Sequence, residues 1–473
     1  MLSKKGSVVK NIFGVAVSNV ISIISGIIVG LLLPKVLPVE DYGWYKTFTL
    51  YTAYIGFVSL GIIDGIVLKY GGKDYEEIDR PLFRSFFSWY SLIHFVFCML
   101  TLVGAMLIKD TNYKFILVSL SIYTVISNYS GYFQQISQIT QRFKEYTTRK
   151  IITSILKIFN VGALFIWAAL GFPPTYKVFL IVFITTELLV TAWYVFTYRD
   201  IAFGDKLSLS DTRKDIFQLS VTGFPLLFAN LCSSLILSLD RQFVSILFDT
   251  TTYAKYAFAY NMLSLVTVAT SAVSTVLYPT LKRTTPETMK KNYGALVGII
   301  SIIVFGAIAA YYPLCLFVEW FLPQYIESLP IFRIVFPGLA LSSSITVVMH
   351  NYYKAEGKNI IYFKKSILVL GISAAANAIA YYAFHTTVSI SIASIITMVF
   401  WYVYVEWYFI RSYKYDGKKN LAYIGAMMVA FYASSAITNY YLGFALYAAM
   451  FLGITMLLQK STVVVDLKNM LKK

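Results

Sequence analysis

The chain has 473 residues, 58% of them hydrophobic and 13% charged, with a mean hydropathy of +0.68, whereas a soluble domain carries roughly 25% charged residues. That balance excludes a soluble globular protein and points to a polytopic membrane protein. The net charge of +17 needs no nucleic acid to explain it once its distribution is read as membrane topology and contact with anionic lipid.

About 14 spans of roughly 20 residues can be drawn: 11–33, 44–68, 84–108, 115–138, 148–170, 176–198, 216–240, 254–280, 293–317, 329–351, 360–383, 387–410, 421–437 and 440–459. The first follows Lys4, Lys5 and Lys10. It is too long for a signal-peptide core and precedes no small-residue cleavage site, so it is expected to stay in the mature protein. Gly26 and Gly30 within it form a small-xxx-small pair that permits close helix packing.

The second span is the stretch around which the rest is organised. It opens at Asp41-Tyr42-Gly43-Trp44-Tyr45-Lys46, passes Asp64 and closes at Lys69-Tyr70-Gly71-Gly72. Read as one helix, it puts Lys46 and Asp64 about five turns and roughly 27 Å apart on one face. Lipid solvates neither charge, so that face is expected to look into the protein or into a wet cavity.

The fourth span ends in a polar run from Asn128 to Gln138, in which Asn128, Gln135 and Gln138 share nearly one face. Their amides suit either sugar hydroxyls or a neighbouring helix. Further along, Lys157 lies about two turns into its span, Glu187 lies near the middle of its own, Asp240 and Arg241 close the seventh span, and Arg333 lies one turn into the tenth. A charge at the bilayer centre costs about 2.5 to 3.5 kcal/mol on insertion scales, so each calls for a partner or for water. Snorkelling and structural ion pairing are the alternative readings, for these residues and for Glu406. Gly223-Phe224-Pro225 and Phe336-Pro337-Gly338 mark expected bends in the seventh and tenth spans.

Two features recur at a similar offset. Tyr42-Gly43-Trp44-Tyr45 has an echo in Tyr253-Ala254-Lys255-Tyr256, and Arg142–Tyr146 has one in Lys358–Tyr362; Asn160 and Asn377 follow at similar depth. A true repeat means two six-helix lobes, here 1–200 and 201–411, with 412–473 as an accessory helix pair and tail. The fold class expected is therefore all-α, about 14 transmembrane helices in two pseudo-repeated lobes plus a C-terminal pair.

Taken alternately, the loops on one side collect nearly all the Lys and Arg, and those on the other hold only Lys35, Lys46, Lys109, Lys114, Lys177, Arg241 and Lys255. This asymmetry puts both termini in the cytoplasm. The outward loops are short, and their acids, Glu40, Asp41, Asp110, Asp249, Glu319 and Glu327, are scattered beside turns. That weighs against a glycan polymerase or a lipid-sugar glycosyltransferase and suits turn and capping roles instead. Cys98, Cys232 and Cys315 show no metal or redox spacing, His94, His350 and His385 form no helical pair, and no phosphate-binding glycine loop is present. No catalytic residue, metal or cofactor is expected.

The order Leu31-Leu32-Leu33-Pro34, Leu37-Pro38-x-x-Asp41-Tyr42-Gly43-x-Tyr45, Leu60-Gly61-x-x-Asp64-Gly65 and Lys69-Tyr70-Gly71-Gly72 resembles the polysaccharide biosynthesis flippases of the O-antigen (Wzx-like) type. Arg142-Phe143-Lys144-Glu145-Tyr146, Asp240-Arg241 and Leu277-Tyr278-Pro279 resemble the same family, over about 12 helices. The resemblance implies the fold of the multidrug/oligosaccharidyl-lipid/polysaccharide exporter superfamily, two six-helix lobes around a central and often cationic cavity.

It also implies a bacterial inner-membrane flippase, not an enzyme, that turns an undecaprenyl-diphosphate-linked oligosaccharide outward by alternating access for O-antigen or capsule synthesis. A glycan polymerase of the same pathway is a possible partner. A diphosphate needs cations, so Lys46, Lys157, Arg241, Arg333 and Lys255 are the candidates for it. Asn128, Gln135 and Gln138 are the candidates for the sugar. Asp64, Glu187 and Asp240 are candidates for ion coupling or for pairing the lobes. The first span lacks the interior cation that some relatives carry, which leaves the phosphate position open. A cation-coupled multidrug exporter of the same superfamily is the main alternative; a scaffold for the assembly machinery is a third reading, disfavoured by the buried charges.

Overall fold

The computed structural model describes residues 2–282 and 284–460; the side chains of 2–13, 265–276, 278–280, 282 and 359 fall outside that description. Lys4, Lys5, Lys10, Tyr278, Pro279 and the tail beyond 460, all used in the sequence reading, therefore lie outside the described side chains. The chain divides into two compact units, Met1–Ser234 and Leu235–Lys473.

The first unit contains α1 (Leu2–Val36), α2 (Val39–Tyr51), a 3-10 segment (Thr52–Ser59), α3 (Ile62–Tyr70), a 3-10 turn (Tyr75–Glu77), α4 (Arg80–Met106), α5 (Thr111–Ile139), α6 (Phe143–Ala169), α7 (Tyr176–Thr197), the single turn α8 (Arg199–Ala202) and most of α9 (Leu209–Ile236). The second contains α10 (Leu239–Leu247), α11 (Thr250–Lys282), α12 (Pro286–Ile308), α13 (Tyr311–Phe321), a 3-10 segment (Pro323–Ser328), α14 (Leu329–Val335), α15 (Gly338–Ser343), a π segment (Ser344–Met349), α16 (His350–Ala355), α17 (Asn359–Phe384), α18 (Thr387–Tyr413), α19 (Lys418–Ser435) and α20 (Tyr440–Leu458).

Among the described residues, nine helices are long and apolar enough to cross a membrane, or eleven with each of two bent pairs counted as one span. The other expected spans are α5, α11 and α19, helices of 29, 33 and 18 residues. The all-helical, multi-span architecture expected from composition is thus present.

Local chemistry explains several helix starts. Asp79 accepts a hydrogen bond from Leu82 N at 3.2 Å, Asp110 from Asn112 N and Tyr113 N and Asp249 from Thr252 N, satisfying backbone donors that a helix start leaves orphaned. Asp41 accepts from Tyr176 N at 2.8 Å, which ties the start of α2 to the start of α7. In the second unit the expected bend at Pro337 is present, with Pro323–Val335 and Gly338–Ala355 meeting at 55°. Proline removes the hydrogen bond that would carry the helix through.

The second span departs from the expectation of one straight helix. Its two halves, Val39–Ser59 and Ile62–Tyr70, are bent by 58°, because Leu60 and Gly61 take left-handed backbone angles, φ 49° and 77°. The reason lies in packing: a Cβ on Gly61 or Gly65 would overlap the backbone of α9 at Phe224 or Leu219, and one on Gly223 would overlap Gly61. Three glycines let two backbones touch where side chains would hold them apart. Lys46 and Asp64 therefore stand on separate helices and share no face. Gly26 makes no such approach, since a side chain there would meet nothing within 4 Å among the described residues.

Both units hold their helices together with aromatic rings. In the first, Phe83, Phe86, Phe87, Tyr90, Tyr132, Phe133 and Tyr198 form one buried cluster, and a smaller cluster joins Trp44 and Phe48 to Ile116, Tyr176 and Leu180. In the second, Tyr293 stacks on Phe409 at 4.5 Å and meets Tyr352 edge-on at 5.0 Å. With lipid as the solvent, dispersion between large rings replaces the hydrophobic drive that assembles a soluble core.

Candidate functional site

In the first unit the structure brings two predicted residues together. Lys157 on α6 and Glu187 on α7 form an ion pair at 4.0 Å. Because α6 begins at Phe143, five residues before the span drawn from the sequence, Lys157 lies about four turns into the helix. One turn along, Asn160 donates to the Thr186 hydroxyl at 2.9 Å, so α6 and α7 share consecutive polar contacts. On the other flank of α6, Lys150 donates to Asn19 Oδ1 at 2.6 Å and the Ser154 carbonyl accepts from Ser25 of α1 at 2.6 Å. A polar line thus runs along α6 between two apolar helices. Lys150 and Asn19 were not candidates in the sequence because Lys150 reads there as one of many loop-end cations.

Asn128 is held between helices: its amide meets His94 Nε2 of α4 at 2.8 Å and donates to the Ile55 carbonyl at 2.9 Å. That is the geometry of a helix–helix contact. Gln135 and Gln138 are half-buried and their side-chain amides make no hydrogen bond among the described residues, so those amides stay available. Lys46 is half-buried, its ammonium 5.2 Å from the Tyr42 ring centre and 5.7 Å from that of Tyr45; such faces attract a cation that lacks water. Asp64 sits in the first turn of α3, beside the α9 backbone at Gly223.

In the second unit Asp240 and Arg241 do not close a span. They open the short helix α10, beyond the turn at 237–238 that ends α9. Asp240 is buried and accepts from the hydroxyls of Tyr256, at 2.7 Å, and Tyr260. Arg241 lies over the Tyr260 ring at 4.7 Å and donates to the Leu237 carbonyl. Tyr260 of α11 thus organises both charges. Lys255 pairs with Glu327 at 2.7 Å. Arg333 donates to the Ser435 hydroxyl and the Tyr432 carbonyl, joining α14 to α19. Glu406, buried on α18, accepts from the hydroxyls of Tyr293 and Tyr415.

The two asparagines of the repeat argument occupy matching roles. Asn160 links α6 to α7, and Asn377 of α17 accepts from Ser394 of α18 at 3.5 Å. Both are buried. No group of three metal-ligating side chains occurs among the described residues.

Comparison with known proteins then bears on this arrangement. A family model described as polysaccharide biosynthesis protein matches residues 8–285. No curated protein sequence matches the chain. Among solved structures, the lipid II flippase MurJ in an inward closed conformation superposes with a TM-score of 0.71 at 15% identity, over 95% of this chain and 99% of that one. A multidrug resistance MATE family transporter of the MOP superfamily, inward-facing, gives 0.54 at 13% identity over 84% and 95%. A MOP superfamily transporter from Pyrococcus furiosus, described as having a binding pocket of reverse polarity, gives 0.54 at 12% over 86% and 97%. At such identities the likeness establishes the shared fold.

Proposed function

The chain belongs to the polysaccharide biosynthesis protein family, and from that premise we propose that it is a flippase for a polyprenyl-diphosphate-linked oligosaccharide, moving it from the cytoplasmic to the outer leaflet of a bacterial inner membrane by alternating access. It is a multi-pass transporter with the MurJ and MATE fold, and not an enzyme. Family membership is the observation that carries the reading. The likeness to a lipid II flippase over 95% of the chain supports it.

The chemistry is consistent. A diphosphate crossing hydrocarbon needs a cation that can reach it, and Lys157 is 45% exposed while its partner Glu187 is 13% exposed. The ammonium is free to exchange a carboxylate for a phosphate, and the less exposed carboxylate holds it in place between cycles. We assign Lys157 and Lys46 to the diphosphate, with Arg241, Arg333 and Lys255 as further cations of the reading. Gln135 and Gln138 are assigned to sugar hydroxyls, with Asn128 anchoring their helix, and Asp64, Glu187 and Asp240 to ion coupling or helix pairing. The basic loops place both termini in the cytoplasm in this reading.

The test is reconstitution in liposomes with an undecaprenyl-diphosphate oligosaccharide, following its exposure to an external glycan-modifying enzyme. Movement above empty liposomes that weakens in Lys157→Ala supports a flippase. No movement with several glycans, together with gradient-driven export of an organic cation, replaces it with a multidrug exporter.

A further inference from the structure

A polar cavity lies in the first unit, away from the α6–α7 ion pair. It has a volume of about 430 Å³ and is lined by side chains from the start of α4 (Arg80), the end of α5 (Thr140), the residue capping α6 (Arg142), the end of α7 (Thr197) and the start of α8 (Arg199). Four long helices end or begin around it, so it sits at headgroup level on the side where the basic loops collect.

Arg142 is its best-placed group. Gln141 before it takes a left-handed φ of 58°, and the Arg142 backbone N–H returns to the Ser137 carbonyl at 2.8 Å. The guanidinium comes to rest 4.5 Å from the Tyr75 ring centre and 5.1 Å from that of Tyr198. Its nearest carboxylate, Glu145, is 3.8 Å away, beyond hydrogen-bond range. The side-chain donors of Arg142 make no hydrogen bond among the described residues. A guanidinium positioned by two rings with its donors unspent is preorganised for a bidentate oxyanion.

Arg199 adds a second cation. It is exposed, lies 5.1 Å from the Phe196 ring centre and pairs with no carboxylate among the described residues. The third arginine is already committed: Arg80 meets Asp200 at 3.2 Å. Asp200 also accepts from the Tyr75 hydroxyl at 2.7 Å. Burial and that same carboxylate push the Tyr75 pKa up, so the hydroxyl remains a donor. Asp200 therefore steadies Tyr75 and Arg80, leaves Arg199 without a carboxylate, and leaves Arg142 only the loose pairing with Glu145 at 3.8 Å. The hydroxyls of Thr140 and Thr197 donate to the Ile136 and Trp193 carbonyls. Asp74 and Glu76 also line the cavity, and they disfavour a soluble polyanion arriving from the water. A phosphate presented by a lipid, whose tail already fixes its position, loses less on binding.

We propose that this cavity binds a phosphate group carried by a membrane lipid at the cytoplasmic surface, gripped by Arg142 and Arg199. The assignment rests on the sidedness read from the loops and not on flippase activity. The phosphate belongs either to an anionic phospholipid headgroup or to the diphosphate of a polyprenyl lipid, and both present the same oxyanion chemistry.

The full-length protein, delipidated in detergent, is titrated with phosphatidylglycerol, undecaprenyl diphosphate or inorganic phosphate, and bound species are counted by native mass spectrometry. Wild type is compared with Arg142→Gln, Arg199→Gln and Arg142→Lys, with Arg411→Gln as the control basic residue elsewhere. Loss of about tenfold in affinity for at least one lipid in Arg142→Gln and Arg199→Gln, with Arg411→Gln unchanged and Arg142→Lys intermediate, is the expected result. Selective loss of phosphatidylglycerol identifies a resident phospholipid, and selective loss of undecaprenyl diphosphate identifies a docking step for substrate. Should Arg142→Gln fail to fold, Arg199→Gln decides, because the exposed Arg199 side chain holds no hydrogen bond among the described residues. Unchanged binding of both lipids in Arg199→Gln, an equal loss in Arg411→Gln, or tighter binding of inorganic phosphate than of either lipid overturns the proposal.

Discussion

The Lys157 ammonium and the Glu187 carboxylate stand 4.0 Å apart on neighbouring helices, with the lysine 45% and the glutamate 13% exposed. The pair is loose and asymmetric, so one partner is free to move and the other is not. If Lys157 serves a substrate phosphate, Lys157→Ala and Glu187→Gln each lower flipping by about tenfold. The exchange Lys157→Glu with Glu187→Lys then restores folded protein and leaves transport low, because the cation has moved to the less exposed position. Full recovery of transport in the exchange variant assigns the pair a structural role only.

The approach of α3 to α9 depends on glycine. Gly65→Ala and Gly223→Ala each place a methyl inside backbone already in contact, a kind of overpacking that costs about 1 to 3 kcal/mol. Thermal unfolding in detergent should show both well below wild type, while Gly26→Ala, with open space around it, stays within a degree or so of wild type.

Arg149 is fully buried, pairs with Glu145 at 2.8 Å and donates to the Thr197 hydroxyl, with the rings of Trp193 and Tyr194 within 4.6 Å of its guanidinium. Lysine reproduces neither the fork nor the stacking. Arg149→Lys and Arg149→Ala should both destabilise, the latter by about 3 kcal/mol, as for breaking a buried pair. Glu145→Gln should cost less, because Glu145 keeps contact with water. A reversed ranking in thermal unfolding removes this account.

Asp249 caps α11 through Thr252, whose backbone and hydroxyl bonds hold its pKa below the ordinary 3.8. A depressed folded pKa means that the cap contributes fully above the unfolded value and is lost as pH falls through the folded one. Asp249→Ala should cost about 1 kcal/mol near neutrality, and the gap to wild type should close between about pH 5 and pH 3. A gap independent of pH places the effect elsewhere than the carboxylate.

Much of the architecture was legible because lipid imposes it. Apolar runs of spanning length appear as helices, Phe336-Pro337-Gly338 marks a real bend, and Asp110 and Asp249 sit at helix starts. The break at Leu60–Gly61 was hidden, since residues facing lipid and residues facing neighbouring helices are equally apolar and periodicity runs on across it. Arg142 and Arg149 were hidden for a related reason. Both read as loop cations that set topology, although Glu145 four residues before Arg149 was a visible sign of an intrahelical pair.

Sequence alone determined that this is a multi-span helical membrane protein of a recognisable family type, because no other solvent accommodates so much apolar surface with so few charges. Only the tertiary structure decided which polar groups meet. Lys157 finds Glu187, Asn128 finds His94, Arg333 finds Ser435, and Lys46 and Asp64 part company. Partner choice in hydrocarbon follows from how closely and at what angle helices pack, and that depends on a few glycines and rings whose effect appears only when backbones touch.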